Sequence, residues 1–459
     1  MSYNQLLRFF VFYFFIFSIP NLILSQSIPL KNPNSISFVN VKPYSFQVTF
    51  TRVKDGTRYI VLVSEKGIPL ATPQQNLSYS RGDLLYDSKV AYVGEDTFFI
   101  PSAVRVNKTY HYVVYAFNGQ GGNEKYQVSN PSYNKITSKN SQIGSYYEEV
   151  SSNSPNFSSQ LYDLISVHNV IPYYNYKSTI LETVELKDTS KGMRYVECVY
   201  SGEKKVFSGN FDWTLLGFSR EHTFAHSWMP TYPANNPEKP EYVDLHNLYP
   251  TNLEKANTIR SNYPFGEING RVHYEYKEGR LGEMDGVLVY EPSNKQKGNV
   301  ARSIFYMLTA YNSIQTPWFL TAKQNEQILK KWHFQDLPDD YEKTRQEYIF
   351  DIQGNRNPYI DSVDFVCKID FYKMIKSKKC IASIDEVTID NLLSVQIDYE
   401  KNDFLVLSNQ EDIQVELTSI NGSRIKNIPL NTRICFFSDG IYFLKVRYKN
   451  QYLIKKVVF

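Results

Sequence analysis

The sequence predicts a multidomain chain in which a central α+β domain is flanked by N- and C-terminal all-β sandwich domains. Three observations carry this. The chain has 459 residues, more than one hydrophobic core usually organises. Short alternating or apolar runs cut by Gly and Asn turns fill residues 30–135 and 394–459, which is sandwich patterning. Between them, over 158–366, strand-like runs are mixed with segments of helical periodicity. The composition is 42% hydrophobic and 21% charged, with 37 Tyr and 29 Phe. That is a globular, aromatic-rich balance, unlike a disordered chain.

The N-terminus carries Arg8, an apolar run over 9–19, Pro20 and then Leu24-Ser25-Gln26. The run is shorter than the ~20 helical residues a bilayer needs, and residues 1–25 read as a signal peptide with the mature start near Gln26. No later stretch is apolar for long enough to span, so the product is expected to be secreted or at the cell surface, without stable membrane insertion. Within 30–135, Tyr44-Ser-Phe-Gln-Val-Thr-Phe50 alternates and Tyr59-Ile-Val-Leu-Val63 is apolar throughout. The run Thr109-Tyr-His-Tyr-Val-Val-Tyr-Ala-Phe-Asn118 resembles the strand near the end of a fibronectin type III domain, and His111 reads as a strand residue rather than a ligand. Residues 136–157, rich in Ser and Asn, read as a linker, and a helix is expected from Ser158.

Residues 367–393 read as a second linker, with a Lys-rich stretch over 373–379. The strands beyond it include Phe404-Leu-Val-Leu407, Ile413-Gln-Val-Glu-Leu417 and Gly440-Ile-Tyr-Phe-Leu-Lys-Val446, and the chain closes on Lys455-Lys-Val-Val-Phe459. This order resembles the C-terminal sorting domain of the type IX route, which implies that secretion machinery as a partner.

Four cysteines, Cys198, Cys367, Cys380 and Cys435, show no metal-type paired spacing. Cys367 and Cys380 could pair, but three connectivities are open. Lys and Arg against Asp and Glu number 14 and 7 over 1–140, 22 and 29 over 141–365, and 14 and 11 over 366–459. The middle segment is therefore at −7. Non-specific affinity for nucleic acid comes from cations that neutralise phosphates, so any basic groove there must be local.

The chemistry concentrates in residues 213–262. Trp213 to Phe224, containing Arg220-Glu221-His222, reads as the end of a strand. Tyr242-Val-Asp-Leu-His-Asn-Leu248 reads as a second strand, and Thr251 with Glu254 reads as the capping box of a helix running to Asn262. Strand, strand and helix carrying Glu-His and Asn suit hydrolysis of a phosphodiester with one cation. His222 can take a proton from water because its ordinary pKa of ~6.5 lies near working pH. Glu221 and the Asn257 carbonyl are hard oxygen donors suited to Mg²⁺. Adjacent residues of an extended strand point to opposite sides, so Glu221 and His222 can serve different sides of one phosphate.

Five ordered motifs carry a family resemblance: Arg220-Glu-His222, Asp244-Leu-His-Asn-Leu-Tyr-Pro250, Glu254-Lys-Ala-Asn257 with Arg260-Ser-Asn262, Gly298-Asn-Val-Ala-Arg302-Ser-Ile-Phe-Tyr306, and Gln353-Gly-Asn-Arg-Asn-Pro-Tyr-Ile-Asp361. Over roughly residues 145–366 the chain resembles the endonuclease I family of periplasmic and secreted nucleases, in the ββα-metal (His-Me finger) superfamily. The resemblance implies His222 as general base and Glu221 and Asn257 as ligands of Mg²⁺, or of Mn²⁺ or Ca²⁺. It implies DNA as substrate, with RNA open beside it. Asn252 and Asn262 compete for the second ligand position. Arg220, His246, Arg260, Arg302 and Arg356 are the candidate substrate contacts; His246 serves equally as an orienting residue, and Arg302 lies on a stretch with the periodicity of a core helix. Of basic residues between Thr223 and Val243 there are only His226 and Lys239, and neither is assigned a phosphate. The alternative function is a non-enzymatic extracellular adhesion or binding protein, suggested by the flanking sandwiches and the acidic centre.

Overall fold

The computed structural model describes residues 27–235, 238–311 and 324–377, and from 393 onward the strands and adjoining turns of the C-terminal segment. The expected signal peptide at 1–25 lies outside the described residues. Two compact units are present: one contains Val48–Phe99 and Tyr110–Lys135 with the residues before Phe38, the other Phe38–Gln47, Ile100–Thr109 and Ile136–Phe459. No helix among the described residues is long and apolar enough to cross a membrane.

The N-terminal strands are β1 (Ile36–Val39), β2 (Gln47–Phe50), β3 (Arg58–Ser64), β4 (Leu84–Leu85), β5 (Ser88–Gly94), β6 (Phe98–Phe99), β7 (Thr109–Asn118), β8 (Lys125–Tyr126) and β9 (Ser132–Thr137). They form a three-stranded sheet β1-β2-β6 and a larger sheet β4-β5-β3-β7-β8, with β9 also on β7. Both faces of the central strands are covered. Ile60, Leu62, Val113, Tyr115 and Phe117 share one core. On the opposite face Tyr59 meets Phe50 and Tyr112 meets Phe99, at centroid distances of 4.9 and 6.2 Å. The β-branched and aromatic run of β3 and β7 thus makes the expected sandwich. His111 is a strand residue bonded to the Tyr133 hydroxyl at 2.8 Å.

The central domain is built on a buried helix, Lys297–Ala310, with Val300, Ile304 and Phe305 fully inside. Around it pack Phe157–Ile165, which buries Phe157, Leu161 and Ile165 at helical spacing, and the helices Glu326–Gln335 and Asp340–Gln353. Three strands precede the site, β10 (Lys187–Asp188), β11 (Arg194–Glu197) and β12 (Lys204–Phe207), which form one small sheet; β13 (Phe218–His222) then pairs antiparallel with β14 (Leu248–Asn252). Next comes a meander, β15 (Val272–Tyr276), β16 (Gly279–Met284) and β17 (Val287–Glu291). Its second turn has Asp285 and Gly286 at φ 51° and 79°, the left-handed pair that a two-residue hairpin of this twist requires.

Part of the expected linker is docked. Ser141 and the Gln142 N–H bond Glu347, and the Tyr147 hydroxyl donates to Asp361 at 2.8 Å. Composition does not show these bonds, because Ser, Asn and Gln serve a packed turn as well as a tether. Cys367 is disulfide-bonded, with its partner outside the described residues, while Cys198 and Cys435 are free. The described C-terminal strands form two antiparallel sheets of three and four strands. Phe404, Val406, Val415, Leu417, Leu444 and Val446 alternate into one shared core, which is the second expected sandwich.

Candidate active site

The site is organised by the β13–β14 hairpin, in which Glu221 faces Tyr249 and His222 faces Leu248 in register. The connection between the strands is held by Asn247. Its backbone carbonyl accepts from Thr223 N–H, its side-chain oxygen accepts from Phe224 N–H at 2.6 Å, and its amide donates to the Phe224 carbonyl. Chain direction immediately after His222 is therefore fixed by one fully buried side chain.

The residues 242–248 differ from the expected second strand. A short helical turn, Pro240–Val243, is followed by an inward-folded loop, and the strand starts only at Leu248. Asp244 organises the loop. It accepts from His246 N–H and Gln353 through Oδ1 and from the hydroxyls of Tyr306 and Tyr311, both at 2.7 Å, through Oδ2, with His168 at 3.4 Å. Burial pushes the Asp244 carboxyl up, but His168, His246, Gln353 and Tyr306 outweigh it and hold the group below the usual carboxylate range. The cap of the following turn also differs by one residue. Thr251 is inside β14, and Asn252 accepts from Lys255 N–H at 2.9 Å. The helical segment is a wide turn, Leu253–Asn257, that tightens into Thr258–Arg260.

His222 is buried, and its Nε2 lies 2.7 Å from the carbonyl of Tyr242. A carbonyl only accepts, so Nε2 carries the proton and Nδ1 holds the lone pair. The ring stacks on Tyr173 with 6° between planes and a 5.8 Å centroid distance, and Tyr242 and His226 lie at 4.7 and 5.9 Å. Burial lowers the imidazole pKa to about 4, against the Tyr242 carbonyl, so the ring is neutral at physiological pH.

Glu221 lies on the other side of the strand. Its Oε1 accepts from the Tyr200 hydroxyl and from Arg260 Nη1, each at 3.1 Å. Burial raises its carboxyl to about 7, with Arg260 and Tyr200 pulling downward. Asn257 donates its Nδ2 to Ser219 Oγ at 2.9 Å, and among the described residues its side-chain carbonyl has no hydrogen-bond partner. Ser219 and Glu221 are two apart on β13 and share a face, so Asn257 is bonded to the face of the strand that carries Glu221. Asn252 has both ends engaged, with Lys255 and Glu203. Asn262 is exposed beyond Ser261, whose φ is 49°.

The expected substrate contacts separate into one accessible residue and four buried ones. Arg220 is half-buried, bonded to the Tyr173 carbonyl and stacked on that ring at 4.1 Å. Arg260, Arg302 and Arg356 are instead at 0–1% exposure. Arg302 makes a forked bond to Glu342, at 2.7 and 2.6 Å. Arg356 pairs with Asp361 through two bonds of 2.8 Å and with Glu347 at 2.7 Å. His246 is buried against Tyr306 at 4.5 Å, and burial lowers its pKa to about 4. These four are placed where framework residues sit, beyond reach of a polymer. The Gln353–Asp361 motif behaves likewise: Asn355 bonds the Ile165 carbonyl and Tyr306, and Asn357 bonds the Arg302 carbonyl. The site residues missed by sequence reasoning are Tyr200, Tyr173, Tyr242 and Ser219. None sits in a charged motif, and only Ser219, one strand period before Glu221, carried a signal.

The Endonuclease I family model matches residues 147–364. An extracellular ribonuclease of Bacillus amyloliquefaciens is 30% identical over 239 residues, which is 49% of this chain and 77% of that protein. The chain belongs to the endonuclease I family. An extracellular ribonuclease of Bacillus subtilis is 29% identical over 224 residues, 46% of this chain and 73% of its own. An extracellular deoxyribonuclease of Aeromonas hydrophila is 31% identical over 118 residues, 26% of this chain and 49% of its own. The endonuclease I match contains all five sequence motifs and leaves both sandwiches outside, so the family likeness lies in the central domain.

Proposed function

We propose that this endonuclease I member is a secreted enzyme that cuts DNA, and RNA as a second polymer, without sequence preference, using His222 as general base and one divalent cation. The observation that carries the reading is the Tyr242 carbonyl on His222 Nε2. It leaves Nδ1 as a neutral proton acceptor at the end of a rigid strand, where it can take the proton of an attacking water. The donor set fits a hard cation. Among the described residues no three His, Cys, Asp or Glu side chains converge on a metal cage, while the Glu221 carboxylate and the unbonded end of Asn257 are two oxygens on one face. Mg²⁺ binds through few protein ligands and keeps most of its waters. When bound, such an ion supplies positive charge at the departing oxygen. Arg220 is the remaining candidate for a phosphate contact, and contacts to phosphate carry no base information. The relatives named ribonucleases and deoxyribonucleases support both polymers. Their extracellular designation supports secretion, for which we propose the C-terminal sandwich as the part read by type IX-like machinery.

Incubation of the full chain with supercoiled plasmid and with structured RNA tests this. Smearing with Mg²⁺ or Mn²⁺ and none with excess chelator is expected. Intact plasmid and RNA with every divalent ion would leave the adhesion or binding alternative standing, and cleavage unaffected by chelator would remove the cation.

A further inference from the structure

Both side-chain donors to Glu221 meet the same oxygen. The Tyr200 hydroxyl and Arg260 Nη1 each reach Oε1 at 3.1 Å, and Oε2 has no side-chain partner among the described residues. Each donor is itself immobilised. Arg260 Nη2 bonds the Thr223 carbonyl at 2.8 Å, and Nη1 also reaches the carbonyls of His222 and Ser261. Its guanidinium lies between the rings of Trp228 and Phe265, at 4.9 and 4.6 Å. Ser261, immediately after it, holds φ 49° without being glycine, a conformation that persists only where the surroundings impose it. Tyr200 is fully buried between Phe265 and Tyr290, at 5.8 and 5.5 Å.

We propose that Tyr200 and Arg260 are positioning residues that clamp Glu221 by Oε1 and thereby reserve Oε2 as the single carboxylate oxygen offered to a cation. A carboxylate on a free χ3 would present either oxygen, or both, and would pay to order on binding. Donors fixed on one oxygen remove that freedom in advance. The Arg260 guanidinium that bonds the ligand also bonds the His222 and Thr223 carbonyls, so the cation side and the proton-accepting side of β13 share one rigid support. Arg260 therefore acts through Glu221 and not on the polymer. This inference rests on Glu221 being a cation ligand, as proposed above.

The test uses the full chain and Mn²⁺ as probe, read by the loss of free-ion paramagnetic resonance signal in the absence of nucleic acid. Tyr200→Phe keeps the ring and deletes the hydroxyl; Arg260→Lys keeps charge and deletes the fork. Partners that orient a ligand are typically worth roughly 10–100-fold in metal affinity. Each variant is expected to weaken Mn²⁺ by about that factor, with cleavage recovering as Mn²⁺ is raised. In Glu221→Ala, adding Tyr200→Phe should change Mn²⁺ affinity no further, because the partner of the hydroxyl is gone. If Arg260→Lys fails to fold, Tyr200→Phe decides alone. Wild-type Mn²⁺ affinity in a folded Tyr200→Phe, or an equal loss in the Glu221→Ala background, overturns the clamp. Wild-type affinity in Glu221→Ala by itself would instead overturn the ligand reading on which the clamp stands.

Discussion

Replacing His222 by Ala lowers the rate of plasmid cleavage by roughly 10²–10⁴, the usual worth of a general base, while the protein still binds DNA and still binds the cation. The separation follows from the strand. His222 and Glu221 are adjacent on β13 and so project to opposite sides. The imidazole contacts Tyr173, Tyr242 and His226 and none of the groups that hold Glu221. Deletion also strands the Tyr242 carbonyl, at a cost of about 1–3 kcal/mol, so thermal unfolding must accompany the kinetics. Cleavage near the wild-type rate in a folded variant would remove His222 from the mechanism.

Arg302→Ala is expected to destabilise the central domain by about 3–5 kcal/mol, the range for breaking a buried ion pair by removing one partner. Arg302 is fully buried, and its guanidinium satisfies both oxygens of Glu342, the Asp336 carbonyl and the Asn299 side chain. Gly298 is part of the same arrangement, since a Cβ there would come within 2.7 Å of the guanidinium. Total stabilities are about 5–15 kcal/mol, so the loss is a large share and should appear as a marked fall in Tm. A phosphate contact would behave oppositely: Tm would hold, and DNA affinity and its salt dependence would fall. That second pattern would return Arg302 to the substrate surface.

Much of this site was legible in the sequence, for identifiable reasons. The strand that ends on the Glu-His pair and the core periodicity of 299–312 follow from residue type and spacing, and the structure places them in β13 and in the helix Lys297–Ala310; the Asn257 position comes from the family resemblance. The alternation over 242–248 misled because Asp244, His246 and Asn247 use their side chains inside the loop, mimicking the period of a strand without its ladder. The arginines of the motifs misled for a different reason. A charged residue in a nuclease motif suggests phosphate, and burial with a carboxylate is visible only once Glu342 and Asp361 are brought beside Arg302 and Arg356 by the fold. Tyr200 and Tyr242 were illegible because one acts through a hydroxyl in a hydrophobic cluster and the other through its backbone carbonyl, which no side-chain pattern encodes.

The most direct test of a cation held by Glu221 and Asn257, with proton transfer assigned separately to His222, is cleavage rate against Mg²⁺ concentration for wild type, Asn257→Ala and His222→Ala. Asn257→Ala removes the carbonyl left free by the Nδ2 bond to Ser219, so its curve should move to higher Mg²⁺ and regain part of the rate there. The His222→Ala curve should keep the wild-type midpoint at a plateau lowered by roughly 10²–10⁴. An unmoved midpoint in Asn257→Ala together with recovery of His222→Ala by excess Mg²⁺ would contradict the assignment of both residues.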